Sequence, residues 1–174
     1  TRQFKFGKEL WIERSDFSDA PEKGYHRLYV GNQVRLKYGY VVKCTGFAKD
    51  ATGTITEVHA EYFPESKSGS PTSGNFKAKG VITWVAVADA VEAEVRLYDR
   101  LFNDEQPDAG GKDFLKAVNP DSLKVVRAFV EPALARALPD DKFQFERHGY
   151  FVADRVDHSA GKLVFNKITG LKDS

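Results

Sequence analysis

Residues 84–102 read WVAVADAVEAEVRLYDRLF and contain the signals that decide the fold. Residues 94–102 have the composition of a β-strand, and residues 76–87, which overlap the start of the stretch, form another run of strand-forming side chains. Residues 88–93 are ambiguous, because alanine favours helix whereas the flanking valines favour strand. The stretch therefore predicts β structure on both sides of one undecided segment.

The same signals recur along the rest of the chain in short segments. Further strands are predicted at residues 9–13, 33–44, 54–62, 123–130, 142–155 and 164–166. Helical turns are predicted at residues 113–118 and 132–137, and Gly-, Pro- or Ser-rich loops at residues 49–53, 64–75 and 103–112. Many short strands with few helices indicate an all-β fold, either a sandwich or barrels, and residues 64–75 are a candidate boundary between two halves.

Composition narrows the class of protein. The chain has 174 residues, enough to bury a core, and 26 basic against 25 acidic residues give a net charge of +1. A protein that binds nucleic acid mainly through phosphates usually has a larger positive excess, but a module that reads a few unstacked bases need not. No run approaches the ~20 apolar residues of a membrane span, and the first residues lack the apolar core of a signal peptide.

No segment carries a recognisable catalytic or metal-binding pattern. The four histidines have no metal-ligand spacing, and we expect them on the surface or on strands. The single cysteine, Cys44, excludes an internal disulfide, suits a reducing cytoplasm, and is expected to be buried and inert. Nucleophile-elbow and phosphate-loop motifs are missing. We therefore expect no catalytic centre in this chain, and because it also lacks methionine, we expect it to be part of a longer protein.

Residues 33–44 carry the most suggestive positive charge. If they form one strand, alternation places Arg35, Lys37 and Lys43 on one face. The opposite, inward face would then hold Leu36, Tyr38, Tyr40, Val42 and Cys44. Three cations on one side could line a nucleic-acid groove or could simply form a solvated face.

Residues 143–151, FQFERHGYF, offer a second polar surface. Gln144 and Glu146 share one face of the predicted strand, and Phe143 and Phe145 take the other. An amide, a carboxylate and the adjacent Arg147 have the hydrogen-bonding groups that read base edges. A polar outer face of an ordinary strand is the alternative.

Several motifs resemble one family, the glutaminyl-tRNA synthetases, in their C-terminal anticodon-binding region. They are LWIERSDF at residues 10–17, QVRL at 33–36, KGVITWV at 79–85, VRLYDRLF at 95–102 and FQFERHGYF at 143–151. Their order and separation also match, over nearly the whole chain.

The resemblance implies two small β-barrels of the kind also found in a ribosomal protein that binds 5S rRNA. Residues 1–83 would form the first barrel portion and residues 84–174 the second. The resemblance allows strands to be exchanged between the barrels and places the first strand of the proximal barrel upstream of Thr1. In this family the anticodon loop is clasped between the barrels with its three bases splayed apart, which exposes the base edges to side chains.

Three site residues in the first half follow from the resemblance. Arg35 matches an arginine that reads the first anticodon base, a cytosine or uracil. Arg27 matches an arginine that reads the third base, a guanine. Lys37 stands where some members have arginine, and a contact with the RNA backbone is implied. Thr83 and His26 depart from the family pattern, so contacts at those positions are not carried over.

Three more site residues lie in the second half. Gln144 matches the glutamine that recognises the middle uracil, and Glu146 and Arg147 are expected to orient this pocket or touch the RNA backbone. A further arginine that contacts the middle base in the family would lie upstream of Thr1.

The resemblance also implies a parent enzyme. That enzyme would be a cytoplasmic, monomeric glutamine–tRNA ligase that uses ATP with Mg, and the partners of this chain would be glutamine tRNA and the parent's catalytic domain. The chain lacks the HIGH-type and KMSKS-type signatures of that domain. We expect no catalytic, cofactor or metal site in these residues.

Three alternatives stay open on sequence alone. One is the equivalent region of a glutamyl-tRNA synthetase, against which the segments at residues 96–102 and 143–151 count. Another is a 5S-rRNA-binding ribosomal protein, against which the near-neutral charge counts. A carbohydrate-binding β-module with exposed aromatic residues is the third, and its binding, unlike that of RNA, would be insensitive to salt.

Overall fold

The computed structural model describes residues 3–171, which divide into two compact units. The first unit is Lys5–Ala88, and the second runs from Asp89 onward and includes residues 3 and 4. The division falls between Ala88 and Asp89, a few residues after the boundary expected from the resemblance. Residues 64–75 lie inside the first unit, so the prediction of a boundary in this loop was wrong. No helix within residues 3–171 has the length and apolar character needed to cross a membrane.

The first unit is built on a four-stranded sheet. The unit as a whole contains six strands within the described residues, β1 (Leu10–Ile12), β2 (Gln33–Leu36), β3 (Val41–Lys49), β4 (Ile55–Phe63), β5 (Gly80–Ile82) and β6 (Trp84–Ala86). The sheet has the order β4-β3-β2-β5, and β1 pairs with β6 separately. Strand β2 lies inside the sheet, antiparallel to β3 on one side and parallel to β5 on the other.

Alternating apolar residues of β2 and β3 form the core of this unit. Val34, Leu36, Val42 and Cys44 are almost fully inaccessible to solvent. Burial also raises the pKa of the Cys44 thiol, as expected for an inert cysteine.

One glycine permits a close approach at the edge of the sheet. A Cβ atom added to Gly80 in β5 would lie 1.9 Å from the main-chain oxygen of His26. Only a residue without a side chain allows the 25–29 segment to rest against β5.

The second unit is built on a five-stranded sheet. Its strands are β7 (Val91–Tyr98), β8 (Leu123–Val130), β9 (Lys142–Phe145), β10 (Gly149–Ala153) and β11 (Leu163–Thr169). The order is β8-β7-β11-β10-β9, with β7 and β11 parallel. Single turns of 3-10 helix lie at Phe114–Ala117 and Pro132–Arg136, as the two helical predictions indicated.

Aromatic rings fill the core of the second unit. Phe145 stacks on Phe151 with ring centroids 4.4 Å apart, and both Phe143 and Phe145 contact Phe165 edge-on. His158 is also buried, with Nε2 3.0 Å from the oxygen of Ala137 and Nδ1 3.1 Å from the main chain of Val164. The prediction of surface or strand histidines was therefore wrong for this residue.

The predicted all-β class is confirmed, and closure of either sheet into a barrel stays a prediction. Two long predicted strands were wrong, because each is a hairpin. Residues 33–44 turn at Tyr38 and residues 142–155 turn at Arg147, both of which have positive φ angles, 60° and 72°. Tyr38 consequently lies in an exposed turn and not on the inward face of a strand.

Candidate nucleic-acid interface

Arg35 projects from β2 into the loop that follows β4. Its Nη1 donates to the main-chain oxygen of Ser66 at 2.7 Å and lies 3.4 Å from Ser68 Oγ. Its Nη2 donates to the main-chain oxygens of Ser73 at 3.2 Å and Phe76 at 3.4 Å. The guanidinium therefore ties together both ends of the loop at residues 64–76.

The loop that Arg35 holds is itself fixed to the sheet. Ser66 is fully buried, and its Oγ accepts a hydrogen bond from the Val41 N–H at 2.7 Å and donates one to the Phe63 oxygen at 2.6 Å. Among the contacts of Arg35 with the described residues 3–171, Nη1 and Nη2 face the loop, which leaves the Nε–H as a donor for a ligand. Arg35 thus has a structural role in addition to any role in binding.

The turn after β2 presents Lys37 and Tyr38. Lys37 is half-buried, and its Nζ lies 5.4 Å from the centre of the Tyr38 ring, within the range of a cation–π contact. Tyr38 is 54% exposed. A cation and an aromatic ring are thereby displayed side by side at the end of the strand that carries Arg35.

Lys43, the third residue of the predicted basic face, lies on β3. It is paired with Gln33 across the β2–β3 ladder and therefore shares a face with Arg35. Its Nζ lies 3.9 Å from the carboxylate of Glu61 on β4. This acidic neighbour lowers the net positive charge at that end of the face.

Arg27 is paired with a buried acid. Its Nη1 donates to Oδ1 of Asp16, whose side chain is completely buried, whereas the Arg27 side chain is 38% exposed. The main chain ties the same segments together, because Leu28 N–H donates to the Asp16 oxygen at 2.9 Å. Asp16 therefore fixes the orientation of Arg27 while part of the guanidinium stays accessible.

A cleft of about 630 Å³ opens beside the Arg27 segment. Its lining is basic and aromatic, with one acidic residue, Glu22. The lining residues that bear on binding are Lys23, Tyr25, His26, Tyr29, Lys77 and Lys79. Burial raises the pKa of Tyr25, with a smaller contribution from the Asp16 carboxylate, so its hydroxyl stays protonated at neutral pH. Cations can pair with the phosphate of a nucleotide, and aromatic rings can stack on its base.

Gln144 lies on the outer face of β9. It is exposed, whereas its neighbours Phe143 and Phe145 point into the core, as the alternation predicts. Tyr150, which is 44% exposed, is directly opposite on β10 in the antiparallel ladder. Opposite residues in such a ladder have adjacent side chains, so an amide and a phenol stand next to each other on one face.

Glu146 and Arg147 form the tight turn between β9 and β10. The turn is closed by the His148 N–H, which donates to the Phe145 oxygen at 3.0 Å. Arg147 has a φ of 72° at the position where such turns usually place glycine. Glu146 is therefore not a member of the strand face that the sequence predicted, but it directly follows that strand.

Arg96 lies in a cluster of charged side chains in the second unit. Its guanidinium contacts Glu94 at 2.7 Å, Asp157 at 2.7 Å and Asp154 at 3.4 Å. Hydrogen bonds from the Asp157 N–H, Asn166 Nδ2 and the Val156 N–H lower the pKa of Asp154 to about 2, with a smaller contribution from Arg96. These pairs neutralise Arg96, so the cluster serves to join β7, β11 and the segment after β10.

The six predicted site residues are divided equally between the units. Arg35 and Lys37 are close neighbours at one end of β2, and Gln144, Glu146 and Arg147 lie on one hairpin. Arg27 lies outside β2, in the 25–29 segment, and is paired with Asp16 from the turn at Arg14–Asp16. The residues that sequence reasoning missed are Asp16, Tyr38, Lys77, Lys79 and Tyr150. Of these, Lys79 begins the KGVITWV motif, and Lys77 was visible as a charge just before it.

Two family models match the chain, and both describe the anti-codon binding domain of class I (E and Q) tRNA synthetases. One matches residues 1–63 and the other residues 81–154. The first match includes β1–β4, and the second includes most of β5 and all of β6–β10.

Whole-chain comparisons agree with this result. The chain is similar to glutamine–tRNA ligases from Cupriavidus necator, Ralstonia pickettii and Bordetella avium, with identities of 64%, 62% and 58%. Each match covers 99% of the chain but only 29% or 30% of the relative's length. The fold, the polar hairpins and both family matches lead to one conclusion: the chain belongs to the anticodon-binding domains of class I (E and Q) tRNA synthetases.

Proposed function

We propose that the chain reads the anticodon of glutamine tRNA as part of a glutamine–tRNA ligase. The observation that carries this proposal is the identity of about 60% to several glutamine–tRNA ligases across 99% of the chain. The glutamate-specific alternative has no comparable support, because the relatives quoted are named for glutamine. The nearly balanced charge favours reading a few bases over general attachment to phosphates.

Gln144 is proposed to recognise the middle anticodon base. An exposed amide offers a donor and an acceptor, which matches the pattern on the Watson–Crick edge of uracil. Within residues 3–171 no hydrogen bond engages the Gln144 side chain, so no internal bond has to break before a base binds. Glu146 and Arg147 on the adjoining turn are proposed to orient this base or the neighbouring backbone.

Arg35 and Lys37 are proposed to contact the first anticodon base and the backbone beside it. Arg27 is proposed to read the third base, because Asp16 fixes its guanidinium and a cleft with three lysines lies next to its segment. An oriented guanidinium loses less freedom on binding than a mobile one, which favours specific recognition.

The remainder of the activity is assigned to the rest of the ligase. ATP and Mg would act in its catalytic domain, and the complete protein is proposed to be a cytoplasmic monomer. Expression of the complete ligase with Gln144→Ala tests the site. We expect weaker binding of glutamine tRNA by about 1–3 kcal/mol, and loss of discrimination at the middle base only.

A matched control uses an exposed glutamine that is not in the proposed site. Gln106 lies in the loop between β7 and β8, and Gln106→Ala should leave binding unchanged. Equal affinities of Gln144→Ala, Gln106→Ala and the unaltered ligase for every middle-base variant would remove Gln144 from the site.

A further inference from the structure

The turn at residues 36–39 contains a residue that the backbone does not favour. Tyr38 has a φ of 60°, in the left-handed region. Glycine and asparagine adopt this conformation readily, whereas a bulky side chain costs about 1 kcal/mol or more there. The backbone at this position therefore disfavours tyrosine relative to asparagine.

Hydrogen bonds on both sides of Tyr38 hold the turn in this conformation. The Lys37 N–H donates to the Ile82 oxygen at 2.9 Å, and the Lys37 oxygen accepts from the Trp84 indole at 3.0 Å. The Gly39 N–H donates to the Leu36 oxygen at 2.8 Å. Strain of this kind persists only where the surroundings enforce it.

Hydrogen bonds to the main chain of Gly39 also hold the turn in place. The Gly39 oxygen accepts from both the N–H and the Oγ of Ser68, at 2.8 Å and 2.9 Å. Ser68 is in the loop that Arg35 holds, and its Oγ lies 3.4 Å from Arg35 Nη1. The position of Tyr38 is thus coupled to that of Arg35 through one serine.

The Tyr38 side chain is presented to solvent. More than half of Tyr38 is exposed, whereas a tyrosine retained for packing would be mostly inaccessible. Exposed aromatic rings beside cations are the chemistry that binds unstacked bases, because every base has a face that can stack. Lys37, with its Nζ 5.4 Å from the ring centre, supplies the cation.

We infer that Tyr38 is a stacking residue for an unpaired base of the RNA loop, held in place by the rigid turn, with Lys37 contacting the adjoining phosphate. This inference rests on the proposed function, since it assumes that a single-stranded tRNA loop reaches the end of β2. It adds a contact that tolerates any base to the base-specific contacts proposed for Arg35.

Two substitutions in the complete ligase separate strain from stacking. Tyr38→Asn suits the backbone and removes the ring, so we expect the variant to fold and to bind glutamine tRNA with an affinity about 5- to 100-fold lower. Tyr38→Phe keeps the ring, so we expect affinity within about twofold of the unaltered protein. The unaltered protein and Tyr38→Asn should have equal affinities for a tRNA that lacks the stacked base.

The outcomes distinguish this inference from the function on which it rests. If the unaltered ligase binds all anticodon variants equally, the proposed function fails. If it discriminates among them and Tyr38→Asn binds as tightly as the unaltered protein, the stacking role alone is refuted. Equal losses for Tyr38→Phe and Tyr38→Asn would also refute stacking, because they would assign the effect to the hydroxyl.

Discussion

The guanidinium of Arg35 donates a 2.7 Å hydrogen bond to the main-chain oxygen of Ser66, 31 residues further along the chain. A side chain proposed to read RNA therefore also fixes the loop between β4 and β5. Binding and local stability are coupled at this residue, so measurements on Arg35 variants have to record both.

Arg35→Ala should lower both stability and affinity. The substitution removes contacts with three main-chain oxygens and one hydroxyl, and hydrogen bonds from charged donors contribute more than neutral ones. We expect the free energy of unfolding to fall by about 2–4 kcal/mol and tRNA binding to weaken by about 1–3 kcal/mol. Urea denaturation of the 174-residue chain and tRNA titration of the complete ligase measure the two effects.

Arg35→Lys is the control for charge. A lysine keeps the positive charge but cannot span four acceptors, so stability should fall almost as far as in Arg35→Ala. Unfolding free energies for both variants within about 0.5 kcal/mol of the unaltered chain would contradict the structural role of Arg35.

Removal of Arg27 should destabilise the chain through Asp16. Arg27→Ala leaves a fully buried carboxylate without this partner, and breaking such a pair is costly. Because Arg27 is 38% exposed, we expect about 2–3 kcal/mol, less than for a completely buried pair.

A double-mutant cycle with Asp16→Asn isolates the pair. We expect Asp16→Asn to lower the free energy of unfolding much less in the Arg27→Ala background than in the unaltered chain. In that background the arginine is already absent, so Asp16→Asn does not break this ion pair and removes a buried charge that has lost this partner. Strictly additive unfolding free energies would show that the ion pair does not contribute.

Arg147→Gly should be more stable than Arg147→Ala, and both should weaken tRNA binding by the ligase. Glycine accepts the φ of 72° without a steric cost, although its flexible unfolded state offsets part of the gain. We expect Arg147→Gly to exceed Arg147→Ala by about 1 kcal/mol in unfolding free energy, with the same loss of tRNA affinity in both. A glycine variant less stable than the alanine variant would show that the turn is not strained.

Asp154 should make stability depend on pH in the acid range. Its pKa is about 2 in the folded chain against an ordinary value of 3.8, so the ionised form stabilises the fold at and above pH 3.8. As the pH falls through 3.8 towards 2, both states become protonated and this contribution of about 1–2 kcal/mol is lost.

Asp154→Asn tests this dependence. The difference in unfolding free energy between the unaltered chain and the variant should be constant from pH 5 to 7, which is about where ordinary carboxyls are ionised, and should shrink below pH 3.8. A difference that does not change with pH would assign the effect of Asp154 to packing alone.

Most of the strand positions could be predicted from local patterns. The prediction at residues 123–130 matches β8, and the alternation at residues 143–145 placed both phenylalanines inside and Gln144 outside. The two hairpins were missed because Tyr38 and Arg147 occupy positions where glycine is the usual signal.

The partners of the site residues could not be predicted in the same way. Asp16 meets Arg27, and Arg35 meets Ser66 and Phe76, only after loops fold back on the sheet. Such contacts depend on tertiary structure and leave no periodic pattern in the sequence. The family resemblance named the candidate residues, and the structure adds which of them are already engaged in the fold.

The most direct test of the central claim is binding of the complete ligase to glutamine tRNA and to three versions that each have one anticodon base replaced, at one fixed salt concentration. Salt must be held constant because phosphate contacts alone change affinity with ionic strength. The account predicts a loss for each replacement, abolished at the middle base by Gln144→Ala and reduced at the first and third bases by the Arg35 and Arg27 variants. Equal affinity for all four RNAs would contradict it.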